Sequence, residues 1–335
     1  MKKLKLLIAL SLAANNAFAV DSNGTSVNWN SQFSDMATFN CSGTVIAAKY
    51  LLTAAHCQNE NSSITFSDGS VKSGVVNNHP SWGGVSGANY DVSLWTLPGR
   101  HETSHIRYFA DLNSDTVSDG DSLKIYGFAG TNNLSFATVT IDTRINALDP
   151  TGLFYGAFDT GKGTTLGGDS GGVWLDNSGK IVGTHTSALN TDRVTGSYRV
   201  EMYAANLHSS KDFILDTVNG WHYPPLATTS GDAVTITVQS LHKNVVSDSA
   251  YTDGSATITG GTCQGNAAIN SFETCTYTVQ SSGEGKLYLT PSEYVHINKP
   301  SLKIGDASGS GGGGGSMSLG ALLLLGGAFI RRKTK

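Results

Sequence analysis

The sequence predicts an all-β chain, sandwich or barrel, on three grounds. Its apolar residues come in short runs, namely Thr44–Ala48, Tyr50–Thr53, Val92–Leu97, Leu123–Phe128, Ala137–Ile141, Val173–Leu175 and Ile181–Thr184, each the length of a strand and too short for a helix. Glycine, asparagine, aspartate and serine separate the runs, and glycine alone supplies 40 of the 335 residues, the composition of many tight turns. Sustained helical periodicity is scarce. Its clear instance is Lys211–Val218, where Phe213, Ile214, Leu215 and Val218 fall at roughly helical spacing and predict a helix.

The chain opens on Lys2, Lys3 and Lys5, an apolar run Leu6–Ala14, and Ala17-Phe18-Ala19. Basic start, short apolar core and small-residue A-x-A site predict a secretory signal peptide over residues 1–19, which is excluded from the fold. The apolar run is too short to favour the alternative, an N-terminal membrane anchor. Cleavage by signal peptidase after Ala19 leaves Val20 as the new N-terminus. Export implies an oxidising compartment, so the four cysteines, Cys41, Cys57, Cys263 and Cys275, are read as disulfides, with three connectivities open.

The chemistry centres on Gly167-Gly168-Asp169-Ser170-Gly171-Gly172. Glycines on both sides of one serine let the backbone turn tightly and aim N–H groups at a bound carbonyl. A serine hydroxyl needs a base to become a nucleophile. Thr53-Ala54-Ala55-His56-Cys57 supplies a histidine, and Asn89-Tyr90-Asp91-Val92-Ser93-Leu94 supplies an acid among apolar positions. Gly168, Ser170 and Gly172 also satisfy the G-x-S-x-G elbow of α/β-hydrolases, but those enzymes run serine, acid, histidine. Here the order is His56, Asp91, Ser170, and the elbow reading fails.

These three motifs, in this order, resemble the chymotrypsin/trypsin-like serine proteases over roughly residues 20 to 222. The resemblance implies two six-stranded β-barrels with the active site in the cleft between them, closed by a C-terminal helix at Lys211–Val218. It implies His56 as general base and then acid, Asp91 as the carboxylate that orients it, Ser170 as nucleophile, and the backbone N–H groups of Gly168 and Ser170 as oxyanion hole. It joins Cys41 to Cys57, which leaves Cys263 to pair with Cys275. It pairs Asp169 with a newly made α-amino group. The usual Ile-Val-Gly-Gly start is missing, and Val20-Asp21-Ser22-Asn23-Gly24 is the nearest substitute, so signal cleavage alone is expected to activate the enzyme; the alternative is that Asp169 makes only local hydrogen bonds and the terminus is loose.

In the specificity pocket, Thr164 occupies the position that carries an aspartate in trypsins, which argues against cleavage after Lys or Arg. His185, in Gly183-Thr184-His185-Thr186-Ser187, and Thr165 match the pocket histidine and hydroxyl of glutamate-specific relatives, and both side chains can hydrogen-bond a carboxylate. His185 serves this only if it faces the pocket; a neutral strand histidine satisfied locally is the alternative. The pattern departs from those relatives at Asp169 and Ala188.

Tyr223-Pro224-Pro225 reads as a linker. The alternating stretches Ala233–Gln239, Ala256–Thr259, Thr274–Gln280 and Lys286–Leu289 predict a small accessory β-sandwich of immunoglobulin-like kind over residues 226–304, a spacer or binding module with no catalytic constellation. Residues 305–316 are a Gly/Ser linker. Residues 317–335 hold an apolar segment, Met317–Ile330, followed by Arg331-Arg332-Lys333, short for a membrane span and basic at its end. Together they resemble the GlyGly-CTERM sorting signal of Gram-negative bacteria. That resemblance implies transient membrane contact, cleavage by a rhombosortase and export by the type II secretion machinery to the outer surface or medium. A plain tail anchor is the alternative.

The two terminal segments carry Lys2, Lys3, Lys5, Arg331, Arg332, Lys333 and Lys335, seven of the 22 basic residues, and none of the 26 acidic ones. The remainder is therefore strongly acidic, which excludes a nucleic-acid footprint. No metal or cofactor is implied. Two function classes follow: an exported endopeptidase acting on proteins or peptides, and a catalytically silent surface-binding protein working through its C-terminal β-domain.

Overall fold

The computed structural model describes residues 20, 23–58, 62–84, 90–146, 151–190 and 199–300. The expected signal peptide, Gly/Ser linker and C-terminal sorting segment lie outside the described residues. Among those residues no helix is long and apolar enough to cross a membrane.

Among the described residues, nineteen strands are organised in three sheets. A short first strand, β1 (Thr25–Ser26), is followed by β2 (Met36–Thr38), β3 (Ser42–Ile46), β4 (Tyr50–Thr53), β5 (Ile64–Phe66), β6 (Val71–Lys72) and β7 (Ser93–Thr96). Strands β2 to β7 curl into an antiparallel sheet of order β6-β5-β2-β3-β4-β7. Next come β8 (Ser122–Gly127), β9 (Ser135–Ile141), β10 (Phe154–Lys162), β11 (Val173–Leu175), β12 (Ile181–Leu189) and β13 (Glu201–Asn206). Because β8 pairs with both β9 and β11, these six close into a ring, with β1 added outside β9. These are the two barrels.

The runs of consecutive apolar residues are explained by burial on both strand faces. In β4 and β7 the two-residue period sends Leu51 and Trp95 into the first barrel's own core. Their neighbours Leu52 and Leu94 join the larger cluster that continues through Ile125, Val139 and Trp174 of the second barrel. The barrels thus share one core along their seam, and loops from both meet there. Helix Lys211–Val218 forms where the spacing places it, burying Phe213, Ile214 and Leu215 and ending on Asn219 in the left-handed conformation, a C-terminal stop.

The accessory region holds β14 (Gly220–His222), β15 (Leu226–Ala227), β16 (Val234–Leu241), β17 (Tyr251–Gly260), β18 (Thr274–Tyr288) and β19 (Tyr294–Ile297). Thr274–Gln280 and Lys286–Leu289, which alternate separately in the sequence, belong to essentially one long strand. β18 pairs with β16 along its first half and β19 along its last, while β17 flanks both. The register breaks between Gly254 and Ala256, and a Cβ on Gly285 would lie 2.7 Å from the Ala256 nitrogen. The hairpin bends at these glycines and joins the two layers of the sandwich around a core that includes Val238, Tyr277, Leu287 and Val295.

Tyr223-Pro224-Pro225 is a correction to the linker expectation. Tyr223 is buried in the accessory core, and the Pro225 carbonyl accepts from Arg100 Nη2 at 3.1 Å and from the His296 backbone at 2.9 Å. The accessory sheet also starts before residue 226, since Gly220–His222 pair with Leu241–Gln239 of β16. Sequence showed two prolines but not the partners that fix their neighbours.

The accessory sheet grips the connection between the barrels. Gln239 bonds Phe109 in both directions, Tyr108 Oη donates to the Thr237 carbonyl at 2.7 Å, and His222 Nε2 donates to the Arg107 carbonyl at 2.8 Å. His222 Nδ1 accepts from the Ala47 N–H at 3.0 Å. Ala47 and Ala48 form the β3–β4 turn with φ of 50° and 60°, a conformation costly for alanine. Ala48 packs into the accessory core, so the accessory domain supports a strained turn of the first barrel.

Candidate active site

His56 lies on a 3-10 turn, Ala55–Cys57, directly after β4. The bridge from Cys57 to Cys41 at the foot of β3 fixes that turn to the barrel. His56 also lies close to both sulfurs, but these are bonded to each other and offer no thiolate to a metal. Cys263 is bridged to Cys275 in the accessory domain.

Asp91 precedes β7 and follows Tyr90, which takes φ of 50° and stacks on His79 with ring centroids 4.2 Å apart. The strained residue turns the buried carboxylate toward His56. Asp91 Oδ1 accepts the His56 backbone N–H at 2.8 Å, and Oδ2 lies 2.7 Å from His56 Nδ1. A carboxylate only accepts, so Nδ1 carries a proton, and in the neutral ring Nε2 is the nitrogen with the free lone pair.

Ser170 sits in a loop that the glycines make possible. Gly168 has φ of +99°, and a Cβ there would lie 2.2 Å from the Gly130 nitrogen. At Gly171, with φ of +80°, a Cβ would meet Thr53 Oγ1 at 2.0 Å and the Ser42 carbonyl at 2.4 Å. Thr53 is three residues before His56, so the loop carrying the serine nests against the strand carrying the histidine. Asp169 is fully buried; Oδ1 accepts from the Ala129 N–H at 2.7 Å and Oδ2 from the Leu166 N–H at 2.8 Å. Val20 is fully buried as well, with its Cγ1 2.9 Å from where a Cβ of Gly163 would stand. Both expected partners are thus sequestered within the second barrel's loops.

Of the pocket residues, Thr164 is half-buried and follows Gly163. The Thr165 hydroxyl is buried with no hydrogen-bond partner among the described residues. His185 pairs with Ala204 across β12 and β13 and stacks on Trp174 of the barrel core with centroids 6.2 Å apart. Its Nδ1 has no partner among the described residues. Burial, helped by the nearby His56, pushes its pKa down to about 3, so the ring is neutral.

Two further residues escape sequence reading. Glu201 opens β13 as a wholly buried carboxylate, and Tyr203 Oη donates to its Oε2. Ser42 bonds the Ser170 loop from the first barrel. Neither lies in a motif; burial by a neighbouring strand is their only mark, and that is a tertiary fact.

The profile of the trypsin family matches residues 19–214. The chain belongs to the trypsin family. That membership makes it a serine endopeptidase, a hydrolase of protein or peptide substrates. Similar solved structures include the secreted serine protease VesC from Vibrio cholerae, at 13% identity over 82% of this chain and 71% of that one, with a TM-score of 0.47. Neuropsin, a serine protease expressed in mouse brain, is 19% identical over 58% of this chain and 98% of its own, with a TM-score of 0.49. Human heparin binding protein is 17% identical over 58% and 95%, also with a TM-score of 0.49. No curated protein sequence matches the chain.

Proposed function

We propose that the protein is an exported endopeptidase in which His56, Asp91 and Ser170 form the catalytic triad. The observation that carries this is the doubly bonded His56–Asp91 pair beside the nested Ser170 loop. With Nδ1–H held by Asp91, His56 Nε2 takes the Ser170 proton as Oγ attacks the substrate carbonyl. The N–H groups of Gly168 and Ser170 receive the developing oxyanion. His56 then protonates the leaving amine, and water repeats the sequence on the acyl-enzyme. The test is labelling by a fluorophosphonate: wild type reacts at Ser170, and Ser170→Ala, though folded, neither labels nor cleaves casein. Casein cleavage by Ser170→Ala at the wild-type rate would sink the assignment. A folded wild type that does not label would favour a silent binding protein acting through its accessory domain.

Activation follows from Val20 and Asp169. An α-ammonium exposed by signal cleavage at Val20 pairs with the buried Asp169 carboxylate, since a charge of opposite sign favours both ionised forms, and the pair holds the adjacent oxyanion loop. The tail reading accompanies this one: a GlyGly-CTERM-like signal is removed by a rhombosortase, and type II secretion delivers the enzyme to the surface or medium of a Gram-negative cell.

For selectivity, Thr164, Thr165 and His185 make a neutral, hydrogen-bonding pocket that takes a glutamate or aspartate side chain before the cut bond. Support comes from the Thr165 hydroxyl and His185 Nδ1, buried polar atoms of the kind that a ligand satisfies.

A further inference from the structure

Ser42 is wholly buried at the start of β3, in the barrel that carries the histidine, and four hydrogen bonds hold it, three of them across the seam. Its Oγ donates to the Gly168 carbonyl at 2.9 Å and accepts from the Phe128 N–H at 3.1 Å. Its backbone N–H donates to the Ser170 carbonyl at 2.8 Å. Its carbonyl accepts from Thr53 Oγ1 at 2.8 Å, on the strand that leads to His56. A buried hydroxyl costs desolvation unless both of its roles are used, and here donor and acceptor are both engaged.

Resting on the endopeptidase reading above, we propose that the Ser42 hydroxyl is a positioning group for the reaction, holding the Gly168 peptide so that the oxyanion donors keep their aim. Gly168 stands at φ of +99°, a conformation that glycine adopts freely and that no side chain of its own holds in place. Asp169 anchors the loop within the second barrel through Ala129 and Leu166. Ser42 is the anchor from the first barrel, acting on the carbonyl of Gly168 and that of the nucleophile itself. Its contact to Thr53 couples the base's strand to the same clamp. Without the hydroxyl the Gly168–Asp169 peptide loses this side-chain bond to β3, and small misplacements of reacting groups are expensive in turnover.

The experiment is steady-state kinetics of Ser42→Ala and Ser42→Thr, well below their unfolding temperatures, with active enzyme counted by fluorophosphonate titration. Ser42→Ala should lose about 10-fold in kcat with KM unchanged. Affinity for a peptide aldehyde, whose hemiacetal oxygen sits among the oxyanion donors, should fall by the same factor. Ser42→Thr, which keeps the hydroxyl, should return kcat to within about 3-fold of wild type. Titrated Ser42→Ala with wild-type kcat, unchanged aldehyde affinity, or Ser42→Thr as slow as Ser42→Ala would each overturn the proposal. Should Ser42→Ala not fold, Ser42→Cys, of similar size with a weak donor, carries the same comparison. A wild type that does not label overturns the endopeptidase reading itself, whereas an active wild type matched by Ser42→Ala overturns only this role.

Discussion

Gln239 and Phe109 exchange two hydrogen bonds across the boundary between the protease barrels and the accessory sheet: the Phe109 N–H reaches Oε1 at 3.0 Å, and Nε2 reaches the Phe109 carbonyl at 2.9 Å. Nε2 also donates to the Phe272 carbonyl at 2.9 Å. All of this is buried: Tyr108 and Ala110 pair with Ile181 of β12 on one side, and the Phe109 N–H and carbonyl between them find their partner in a side chain. Gln239→Ala strands three backbone groups and should destabilise the protein by about 3 kcal/mol or more. Chemical denaturation of the protein measures this; a change below about 0.5 kcal/mol, the size of an ordinary surface substitution, would show that the amide is not a structural tie.

His222 makes the same boundary sensitive to acid. As a neutral ring it accepts from Ala47 and donates to the Arg107 carbonyl, and protonation removes the acceptor. Burial first, opposed by the Arg107 carbonyl and aided by the charge of Lys180, lowers its pKa from 6.5 to about 4. Between those values the unfolded chain binds a proton that the folded chain refuses, so this contribution to stability is complete above pH 6.5 and is lost as pH falls toward 4. Asp35, whose pKa is raised by burial to about 6 despite Arg107, works in the opposite direction and is common to both proteins in the comparison. Urea unfolding of wild type and His222→Gln across that range should show the wild-type advantage shrinking by roughly 3 kcal/mol at most. A constant gap would clear His222.

Active enzyme should begin at Val20. Val20 is buried against Gly163, and Asp169 is buried within the same group of loops, while no later activation motif occurs in the sequence. N-terminal sequencing of material counted by active-site titration tests this, and Asp169→Asn should lower kcat by on the order of 10²-fold through the oxyanion loop. Activity appearing only after a cut further downstream would refute direct activation.

The strands, the closing helix and the His56–Asp91 pair were legible because each depends on local pattern. Apolar runs mark strands buried on two faces, and a motif carries its own loop geometry, as Gly168 and Gly171 do. The accessory domain was legible as alternation, but its attachment was not. Tyr223-Pro224-Pro225 has the composition of a linker, and only the partners Arg100 and His296 make it an ordered part of the interface. Likewise His222, Gln239, Ser42 and Glu201 stand in no motif. Their roles come from strands distant in sequence, and a lone polar residue in an apolar stretch does not say which distant backbone it will satisfy.

The pocket should prefer glutamate or aspartate over lysine or arginine on the acyl side of the cut bond. Thr164 removes the negative charge that a basic side chain meets in trypsins, and the Thr165 hydroxyl and His185 Nδ1 are buried without partners among the described residues. His185 is neutral in the resting protein, its pKa pushed down to about 3 chiefly by burial. A bound carboxylate reverses part of that, because a charge of opposite sign favours the imidazolium. Contacts that leave buried polar groups stranded when the wrong side chain binds can discriminate by several orders of magnitude. Peptides differing only at that residue, assayed with wild type, Thr165→Val and His185→Ala, measure it. Both variants should lose most of the glutamate rate and leave alanine peptides nearly unaffected. Faster cleavage after lysine or arginine by wild type would refute this reading.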